Sequence, residues 1–279
     1  MKHCIVTTNS NLYFSKRLLS IAELNGQSLI HIDPLNATLN ELGLQNIDGV
    51  CFHRVGSSSL DNFDIFLSSP HKVVINHQDS LLKYRNKIAS YLALAKANIK
   101  VLPFMGVRGV PKDDYLQSFF NDCQKFSDQF VIKPEVGMKG IGVNHLESKN
   151  KLFSWIETLK YINDQKFIIQ PYASNAQEYR LFLSKFTEPL LFVKNNEGKF
   201  KSNAHQGGGL EYLKLDSRFE YLFDLPGQLK LDYLALDVIN FNEKLYVLDL
   251  NPVCGFEGLE SASGVDILSQ LFEYGLKRI

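Results

Sequence analysis

The sequence lacks the features that mark several classes of protein. Its four cysteines are widely spaced and form no CxxC pair, which argues against a zinc site and against a disulfide-rich secreted scaffold. No run approaches the roughly 18 apolar residues of a membrane-spanning helix. The first residues, MKHCIVTTNSN, contain too few apolar side chains for a signal peptide. We therefore expect a cytoplasmic protein with free thiols.

An excess of charge is also missing. Thirty basic residues balance thirty acidic ones, so net charge indicates neither a nucleic-acid partner nor an anionic membrane surface. We expect this protein to bind neither of them.

The 279-residue chain instead contains alternating apolar strands and amphipathic helices. Strand–helix–strand order through about residue 80 predicts a small open parallel sheet. A long helix is predicted over about 79–97 by its apolar periodicity. From residue 167 onward strands follow one another directly, which is typical of antiparallel sheets. The predicted fold class is therefore α+β, with an α/β N-terminal part.

The segment LDYLALDVINFNEKLYVLDLNP predicts a hairpin that turns near Asn242 and Glu243. A turn centred on residue 243 places Asp237 opposite Asp249, and strand alternation puts Asn251 on the same face as Asp249. Facing carboxylates repel unless a cation lies between them, and these oxygen ligands suit Mg²⁺. The competing interpretation is a solvent-facing strand edge with ordinary charges. The apolar residues around the aspartates argue against it.

The segment VIKPEVGMKGIGV, residues 131–143, places a lysine at a strand end before a glycine loop. Glycines at 137, 140 and 142 allow backbone N–H groups to approach phosphate oxygens, and Lys133 could balance their charge. The spacing matches neither the P-loop nor the Rossmann fingerprint. A plain flexible hairpin explains this segment equally well.

The segment IIQPYASNAQEYRLFL, residues 168–183, could bind a nucleoside. A strand that runs into Gln170, Pro171 and Tyr172 could offer main-chain hydrogen bonds to a purine edge. Glu178 could accept ribose hydroxyls, and Arg180 shares its face. A sheet edge with an ordinary Glu–Arg pair is the competing interpretation.

A further polar segment is GKFKSNAHQGGGLEYLKL, residues 198–215. Lys201, Asn203 and His205 alternate along it and then meet three glycines, so it could bind a phosphate or a carboxylate. His205 could equally be a hydrogen-bonded loop residue, since no cysteine or serine partner gives it the logic of a catalytic triad.

Taken in order, these segments resemble the ATP-grasp superfamily and, within it, the RimK-type carboxylate–amine ligases that modify ribosomal proteins or act as α-L-glutamate ligases. The likeness runs nearly end to end. It includes SNLYFSKRLLSIAELNGQSLIHIDPL, HRVGSSSLD, INHQDSLLKYRNK, VIKPEVGMKGIGV, the E-x-R of 178–180, FKSNAHQGGG and DLNPVCGFEGLESASGVDI. The resemblance implies two α+β subdomains, 81–166 and 167–279, that clamp ATP behind an N-terminal domain, 1–80.

The resemblance also implies a role for individual positions. Those that would bind the nucleotide are Lys87, Lys133, Gly137, Met138, Lys139, Gly140, Gln170, Pro171, Tyr172 and Glu178. Those that would hold Mg²⁺, with Mn²⁺ as a substitute, are Asp237, Asp249 and Asn251. The catalytic positions would be Arg180, Lys194, Lys201 and Asn203, and the substrate-binding positions Arg54 and His205.

The activity that the resemblance implies is an ATP-dependent ligase that joins a carboxylate to an amine of an amino acid or peptide. An acylphosphate would be the intermediate, ADP and phosphate would be released, and a homodimer or tetramer would be reasonable. Asp249, Pro171, Gln206 and Lys201 depart from the usual residues. The departures at Asp249, Gln206 and Lys201 motivate an alternative, a nucleotide-binding regulatory module that has lost ligation. A dinucleotide-dependent oxidoreductase is a third hypothesis, which the glycine-free turn TTNSNLYFS disfavours.

Overall fold

The computed structural model describes residues 1–34, 47–55, 73–76, 78–108, 111–137, 140–159, 166–174, 176–195 and 209–279. These residues form three sheets. In the described ranges no helix is long and apolar enough to cross a membrane. The α+β class predicted from the sequence is confirmed, and the order of the sheets along the chain follows the predicted order.

The first sheet is parallel, as predicted, and has the strand order β2-β1-β3-β4. Its strands are β1 (Lys2–Val6), β2 (Ser28–Ile32), β3 (Val50–His53) and β4 (Val73–Ile75). Helix α1 (Tyr13–Leu24) connects the first two strands and buries Phe14, Leu18 and Ile21. Gly26 follows it with a φ of 63°, a conformation that glycine adopts without a Cβ penalty.

The helix predicted over 79–97 is in fact two helices. Helix α2 (Gln78–Tyr84) ends before Asn86, and helix α3 (Lys87–Lys96) begins directly after it. The Asn86 side chain accepts a hydrogen bond from the Ala89 N–H group, as an N-cap does. The single-helix prediction was therefore wrong, because an apolar stripe continues across a helix break that only the cap residue marks.

The second sheet is antiparallel and has the order β5-β8-β6-β7. Its strands are β5 (Met105–Val107), β6 (Phe130–Pro134), β7 (Asn144–Leu146) and β8 (Phe167–Pro171). Helices α4 (Asp113–Cys123) and α5 (Lys149–Leu159) share a core with it. The sheet extends to residue 171, beyond the boundary predicted at 166, because β8 pairs with both β5 and β6.

The third sheet is antiparallel, with five strands in the order β11-β10-β9-β12-β13. Its strands are β9 (Gln177–Ser184), β10 (Leu190–Asn195), β11 (Gly209–Leu213), β12 (Tyr233–Phe241) and β13 (Lys244–Asn251). A 3₁₀ helix (Ser217–Leu222) and α6 (Leu225–Gln228) precede β12. Helices α7 (Glu257–Ser263) and α8 (Ile267–Leu276) close the chain.

Both faces of the third sheet are covered by other elements. Phe182, Phe192 and Tyr233 share a core with the parallel sheet, whereas Leu181 and Leu236 pack in a second core with α3. A strand that is buried on both faces reads as a nearly continuous apolar run. Polar side chains on these strands are therefore exceptional, and they lie together.

Candidate active site

One face of the third sheet changes from apolar to charged along its strands. Phe182 pairs with Ala235, and two residues away along the same strands Arg180 pairs with Asp237. Residues that pair directly point to the same side of a sheet. The parallel sheet covers the apolar part of this face, and the charged part lies beyond that cover. The following residues belong to this charged part or approach it.

Asp237 and Asp249 lie opposite each other across β12 and β13, as predicted. The turn that joins the strands is not centred on residue 243, however, because Phe241 pairs with Lys244. Asn242 and the next residue both have positive φ values, 48° and 60°, as in the tight two-residue hairpin turns. The pairing of the two aspartates needs a further irregularity in the ladder.

That irregularity is a bulge at Leu248. Val238 pairs with Val247 and Asp237 with Asp249, so one residue of β13 has no counterpart in β12. A bulge of this kind re-aims side chains and is common beside active sites. The extra residue compensates for the shorter turn and brings the two aspartates together. It also directs the Leu248 carbonyl towards the second sheet.

Lys133, at the end of β6, approaches this bulge. Its Nζ donates to the Leu248 carbonyl at 3.1 Å and lies 5.4 Å from the centre of the Tyr91 ring. The Tyr91 hydroxyl donates to the same carbonyl at 2.7 Å. Burial lowers the pKa of Lys133 to about 8, against the favourable effect of Asp249. An anionic ligand beside this buried amine would favour its charged form.

Lys87 approaches the same carboxylates from the start of α3. Its Nζ lies 3.2 and 3.4 Å from the two carboxylate oxygens of Asp249. The helix start is anchored to the glycine-loop segment: the Lys87 N–H group donates to the Glu135 carbonyl at 3.0 Å, and the Asn86 side chain donates to Glu135 Oε1. The two lysines that the resemblance assigns to phosphates are therefore linked through one segment of backbone.

Lys194 joins two carboxylates on the charged face. Its Nζ lies 2.5 Å from Glu178 Oε1 and 2.9 Å from Asp237 Oδ1, and Arg180 Nη1 donates to the same oxygen of Asp237 at 3.2 Å. Burial opposes charging of these groups, but their mutual attraction outweighs it. The pKa of Lys194 is raised and that of Asp237 is lowered from their ordinary values. Lys194, Arg180 and Asp237 are therefore held in their charged forms.

The predicted adenine hinge offers fewer main-chain groups than the sequence suggested. Pro171 has no N–H group, and the N–H group of Tyr172 donates to the Gln129 carbonyl at 2.8 Å. The Gln170 side chain is buried, and its Oε1 lies 3.3 Å from the Tyr91 hydroxyl oxygen. Gln170 Nε2 is also buried and has no hydrogen-bond partner within the described residues. This amide is thus a donor that a ligand could satisfy.

The described part of the glycine loop requires glycine. Gly140 and Gly142 have φ values of 69° and 74°, which other residues rarely adopt. A Cβ atom at Gly142 would also lie 2.8 Å from Cγ of Pro134. The loop therefore folds closely against the strand that carries Lys133. This geometry is compatible with a phosphate-covering loop and with a plain hairpin.

Arg54 directly follows β3. Its guanidinium stacks at 5.2 Å from the ring centre of Phe14 and at 5.7 Å from that of Phe256, and it lies near the Tyr233 hydroxyl. Its Nε and Nη1 atoms are buried without hydrogen-bond partners in the described ranges. Arg54 and Arg180 both lie near the Cys254 thiol: burial raises the pKa of that thiol, and the two guanidinium groups oppose the effect.

The remaining predicted site residues cannot be placed. They lie outside the described residues and are Met138, Lys139, Lys201, Asn203 and His205. The departure at Gln206 lies there too.

Three residues that the sequence analysis did not assign to the site hold it together. They are Tyr91, Asn86 and Glu135. Tyr91 was interpreted only as part of an apolar helix face, although a buried tyrosine needs a partner for its hydroxyl. Asn86 immediately precedes a helix, which is a common N-cap signal. Glu135 gave no signal, because its contacts come from a segment distant in sequence.

The described residues fit a magnesium ion through two carboxylates and one amide. Asp237 faces Asp249, and Asn251 follows two residues later on β13. No group of three or more His, Cys, Asp or Glu residues that could hold a metal is found among the described residues. This does not conflict with Mg²⁺, which usually keeps several waters and takes few protein ligands. Lys87 and Lys194 at present occupy oxygens that such an ion would use.

The parallel sheet, the two antiparallel units and the lysines that converge on a carboxylate pair define the ATP-grasp class of ligases. The chain belongs to the RimK-like ATP-grasp domain family, whose model it matches over residues 84–274. It is 27% identical to the probable alpha-L-glutamate ligase of Serratia proteamaculans (strain 568) over an alignment of 298 positions. The alignment covers 98% of this chain and 95% of that protein.

Two further comparisons agree. The chain is 26% identical to the ribosomal protein bS6--L-glutamate ligase of Escherichia coli O81 (strain ED1a), over 98% of this chain and 95% of that protein. The solved structure of the ATP-grasp ligase PsnB, complexed with minimal precursor, Mg and ADP, shares the fold with a TM-score of 0.70. That match has 15% identity and covers 99% of this chain and 96% of that one.

The chain is accordingly an ATP-dependent carboxylate–amine ligase. The alternative of a regulatory module without ligase activity gains no support, since these relatives are named as ligases. The oxidoreductase hypothesis is excluded by the family.

Proposed function

We propose that this ligase joins a carboxylate to the amino group of an amino acid or peptide, and that a peptide or protein end supplies one of the two partners. The observation that carries this proposal is the Asp237–Asp249 pair, which is contacted by Lys87, Arg180 and Lys194. Carboxylates gathered with several cations suit a triphosphate and its counter-ion. The names of the relatives, which are L-glutamate ligases and in one case a ligase of ribosomal protein bS6, support an amino acid and a protein as the two partners.

The nucleotide would lie between the second and third sheets. Lys87 and Lys133 would contact its phosphates, and residues 137–142 would cover them. Gln170 Nε2, as an unsatisfied buried donor, would bind the base through the side chain. Glu178 would accept the ribose hydroxyls after it gives up part of its contact with Lys194. ATP with Mg²⁺ supplies a phosphoryl group and neutralises the phosphate charge when both are bound.

The transfer step would rely on the cations beside Asp237. Asp237, Asp249 and Asn251 would orient the phosphate end, and Arg180 and Lys194 would stabilise the negative charge that develops as the carboxylate is phosphorylated. The amine then attacks the carbonyl carbon of the acylphosphate and phosphate leaves. Closure of the glycine loop would keep water from this intermediate. Arg54, Lys201, Asn203 and His205 would contact the substrates.

Other expectations remain proposals of the same kind. Mn²⁺ would replace Mg²⁺ in turnover, and the protein would form a homodimer or tetramer, which sedimentation velocity measures directly. A cytoplasmic location is consistent with its four cysteines, which are all buried and free. We keep 1–80, 81–166 and 167–279 as the proposed units, with β8 contributing to the second sheet.

The decisive experiment measures ADP release by the purified full chain with Mg²⁺ and ATP over a panel of amino acids and peptides. Mass spectrometry identifies the products. A gain in mass equal to an amino acid less water, with one ADP per bond, is expected for at least one pair. If no pair releases ADP above the background without acceptor, and no product forms, the proposed reaction is wrong.

The metal assignment has its own prediction. Asp249→Asn keeps the size of the side chain but removes a negative charge that Lys87 and a divalent ion would share. Turnover should fall by roughly a hundredfold or more, since a metal ligand carries several kcal/mol of charge stabilisation. Asp266→Asn is the matched control, because Asp266 pairs with Arg17 of α1 and accepts from the Ser269 N–H group at the start of α8. Full activity in Asp249→Asn would contradict the assignment.

A further inference from the structure

The buried side chain of Asn76 joins the parallel sheet to the two strands that carry the carboxylates. Asn76 directly follows β4 and is fully buried. Its Oδ1 accepts from the N–H groups of Asp232, at 2.5 Å, and Tyr233, at 2.9 Å. Its Nδ2 donates to the carbonyls of Tyr233 and Pro252, both at 2.9 Å. The amide therefore uses both donors and both acceptor directions.

These four bonds continue the ladder between β12 and β13. The last backbone pair of that ladder is Ala235 with Asn251. Beyond it, Pro252 has no N–H group with which to pair. The Asn76 amide lies at this point like an inserted peptide group, bonded to Tyr233 on one strand and to Pro252 on the other.

The same contact fixes the backbone next to a predicted metal ligand. Pro252 follows Asn251, and the Asn251 side chain accepts the Val253 N–H group at 3.0 Å. The orientation of the Asn251 amide thus depends on the short turn 251–253. Asn76 holds the middle carbonyl of this turn. A shift of that carbonyl would move Asn251 relative to Asp249 on the same strand.

We infer that Asn76 is a positioning residue for the metal-binding end of β13. It keeps Asn251 in register with Asp249 and Asp237 from the end of β4, without touching the ion. This inference rests on the proposed function, because that proposal supplies the metal ligands. It adds a residue of the parallel sheet to the determinants of metal affinity.

Asn76→Asp tests the inference selectively. The carboxylate keeps the two acceptor contacts with Asp232 and Tyr233, but it removes both donors and places negative charge against two carbonyl oxygens. Ser80→Ala is the matched control. The buried Ser80 hydroxyl donates to the Leu229 carbonyl at 3.0 Å, so it also joins the segment after β4 to the third unit, but it contacts neither β12 nor β13.

The readout is Mn²⁺ affinity in the presence of saturating ADP, followed by the electron paramagnetic resonance signal of free Mn²⁺. Asn76→Asp should weaken Mn²⁺ binding by about tenfold or more, as loss of residues that support metal ligands does, while metal-free ADP affinity stays unchanged. Ser80→Ala should lower the stability to urea but leave Mn²⁺ affinity unchanged. Wild-type Mn²⁺ affinity in Asn76→Asp, or an equal loss in Ser80→Ala, overturns the inference.

A measurement on the wild-type chain covers the case in which Asn76→Asp does not fold. Coupling is reciprocal, so metal binding should in turn stabilise the Asn76 contacts. Adding Mg²⁺ to the ADP-loaded protein should slow hydrogen exchange of the Asp232 and Tyr233 amides more than that of Lys185, whose N–H group donates to the Asp232 carbonyl. Equal slowing of all three overturns the inference. Failure of the wild-type chain to bind Mn²⁺ with ADP overturns the proposed function as well.

Discussion

At the scale of single residues, burial gives Lys133 an unusual property for a phosphate-binding group. Its Nζ is held by a neutral carbonyl rather than by a carboxylate, and burial lowers its pKa to about 8. Lys194 is buried to a similar degree but keeps a raised pKa, because Asp237 and Glu178 surround it. The two lysines should therefore respond differently to pH and to ligands.

Affinity for ADP should fall as pH rises through the pKa of Lys133. The ammonium group loses its proton above pH about 8, and the neutral amine no longer attracts phosphate. The Kd for ADP should therefore rise roughly tenfold between pH 7.5 and pH 9. Isothermal titration calorimetry at both pH values measures this change. Lys133→Met should bind ADP weakly at both values. A flat profile in the wild-type chain, or the same slope in Lys133→Met, contradicts the assignment.

Residue-level reasoning from sequence proposed the chemical groups but not their partners. The aspartates were proposed from carboxylates in apolar strands, Lys133 from its place before a glycine loop, and the catalytic role of Arg180 only from the family resemblance. The sequence did not reveal that Lys133 Nζ binds the Leu248 carbonyl, or that Glu135 anchors α3. These contacts join segments more than 40 residues apart, and neither periodicity nor composition records such pairings.

At the scale of elements, the β12–β13 hairpin has the predicted pairing of aspartates but not the predicted turn. Asp237 faces Asp249 as predicted, yet the turn is one residue shorter on one side than the assumed centre requires. The bulge at Leu248 supplies the missing residue. A bulge depends on the local fit of strands to their neighbours, and it leaves no regular pattern in the sequence. The helix break at Asn86 was missed for a similar reason.

The glycine loop gives a prediction at this scale. Gly142→Ala introduces a side chain at positive φ and against the Pro134 ring, so the loop must shift away from Lys133. Strain of roughly 1–2 kcal/mol is expected from the backbone conformation alone. Turnover should fall clearly in steady-state assays, and ADP affinity should fall with it.

Gly26→Ala is the matched control for that experiment. Gly26 has a similar φ of 63°, but a Cβ atom there would meet nothing within 4 Å, and it lies after α1, away from the charged face. This variant should lose stability to urea while its kcat and KM remain those of the wild-type chain. Equal kinetic losses in both variants would mean that the loop acts only through overall stability.

At the scale of the whole molecule, the site consists of ion pairs and hydrogen bonds between segments that are distant in sequence. Lys87 comes from a helix between the sheets, and Asp249 from the edge strand of the third sheet. Asn76 ties that strand to the parallel sheet. The sequence predicts three units along the chain. Their mutual contacts depend on how the sheets pack, which no local pattern specifies.

These ion pairs predict the order in which ligands bind. In the free chain, Lys87 pairs with Asp249, and Lys194 and Arg180 pair with Asp237. A divalent ion alone would have to compete with these cations, whereas a nucleotide offers the lysines phosphate oxygens in exchange for the carboxylates. Mn²⁺ should therefore bind weakly to the free chain and at least roughly tenfold more tightly when ADP is present, a coupling of the size usual between linked sites.

Lys87→Met separates this explanation from simple bridging by the nucleotide. The variant removes the cation that occupies Asp249 but leaves the aspartates intact, so Mn²⁺ should bind the free variant more tightly than the free wild-type chain. ADP should bind it more weakly, because a phosphate contact is lost. Titration of free Mn²⁺ with and without ADP gives both quantities. If the free variant binds Mn²⁺ no better than the free wild-type chain, Lys87 does not compete with the metal for Asp249. The increase in Mn²⁺ affinity with ADP then arises from the phosphate ligands alone.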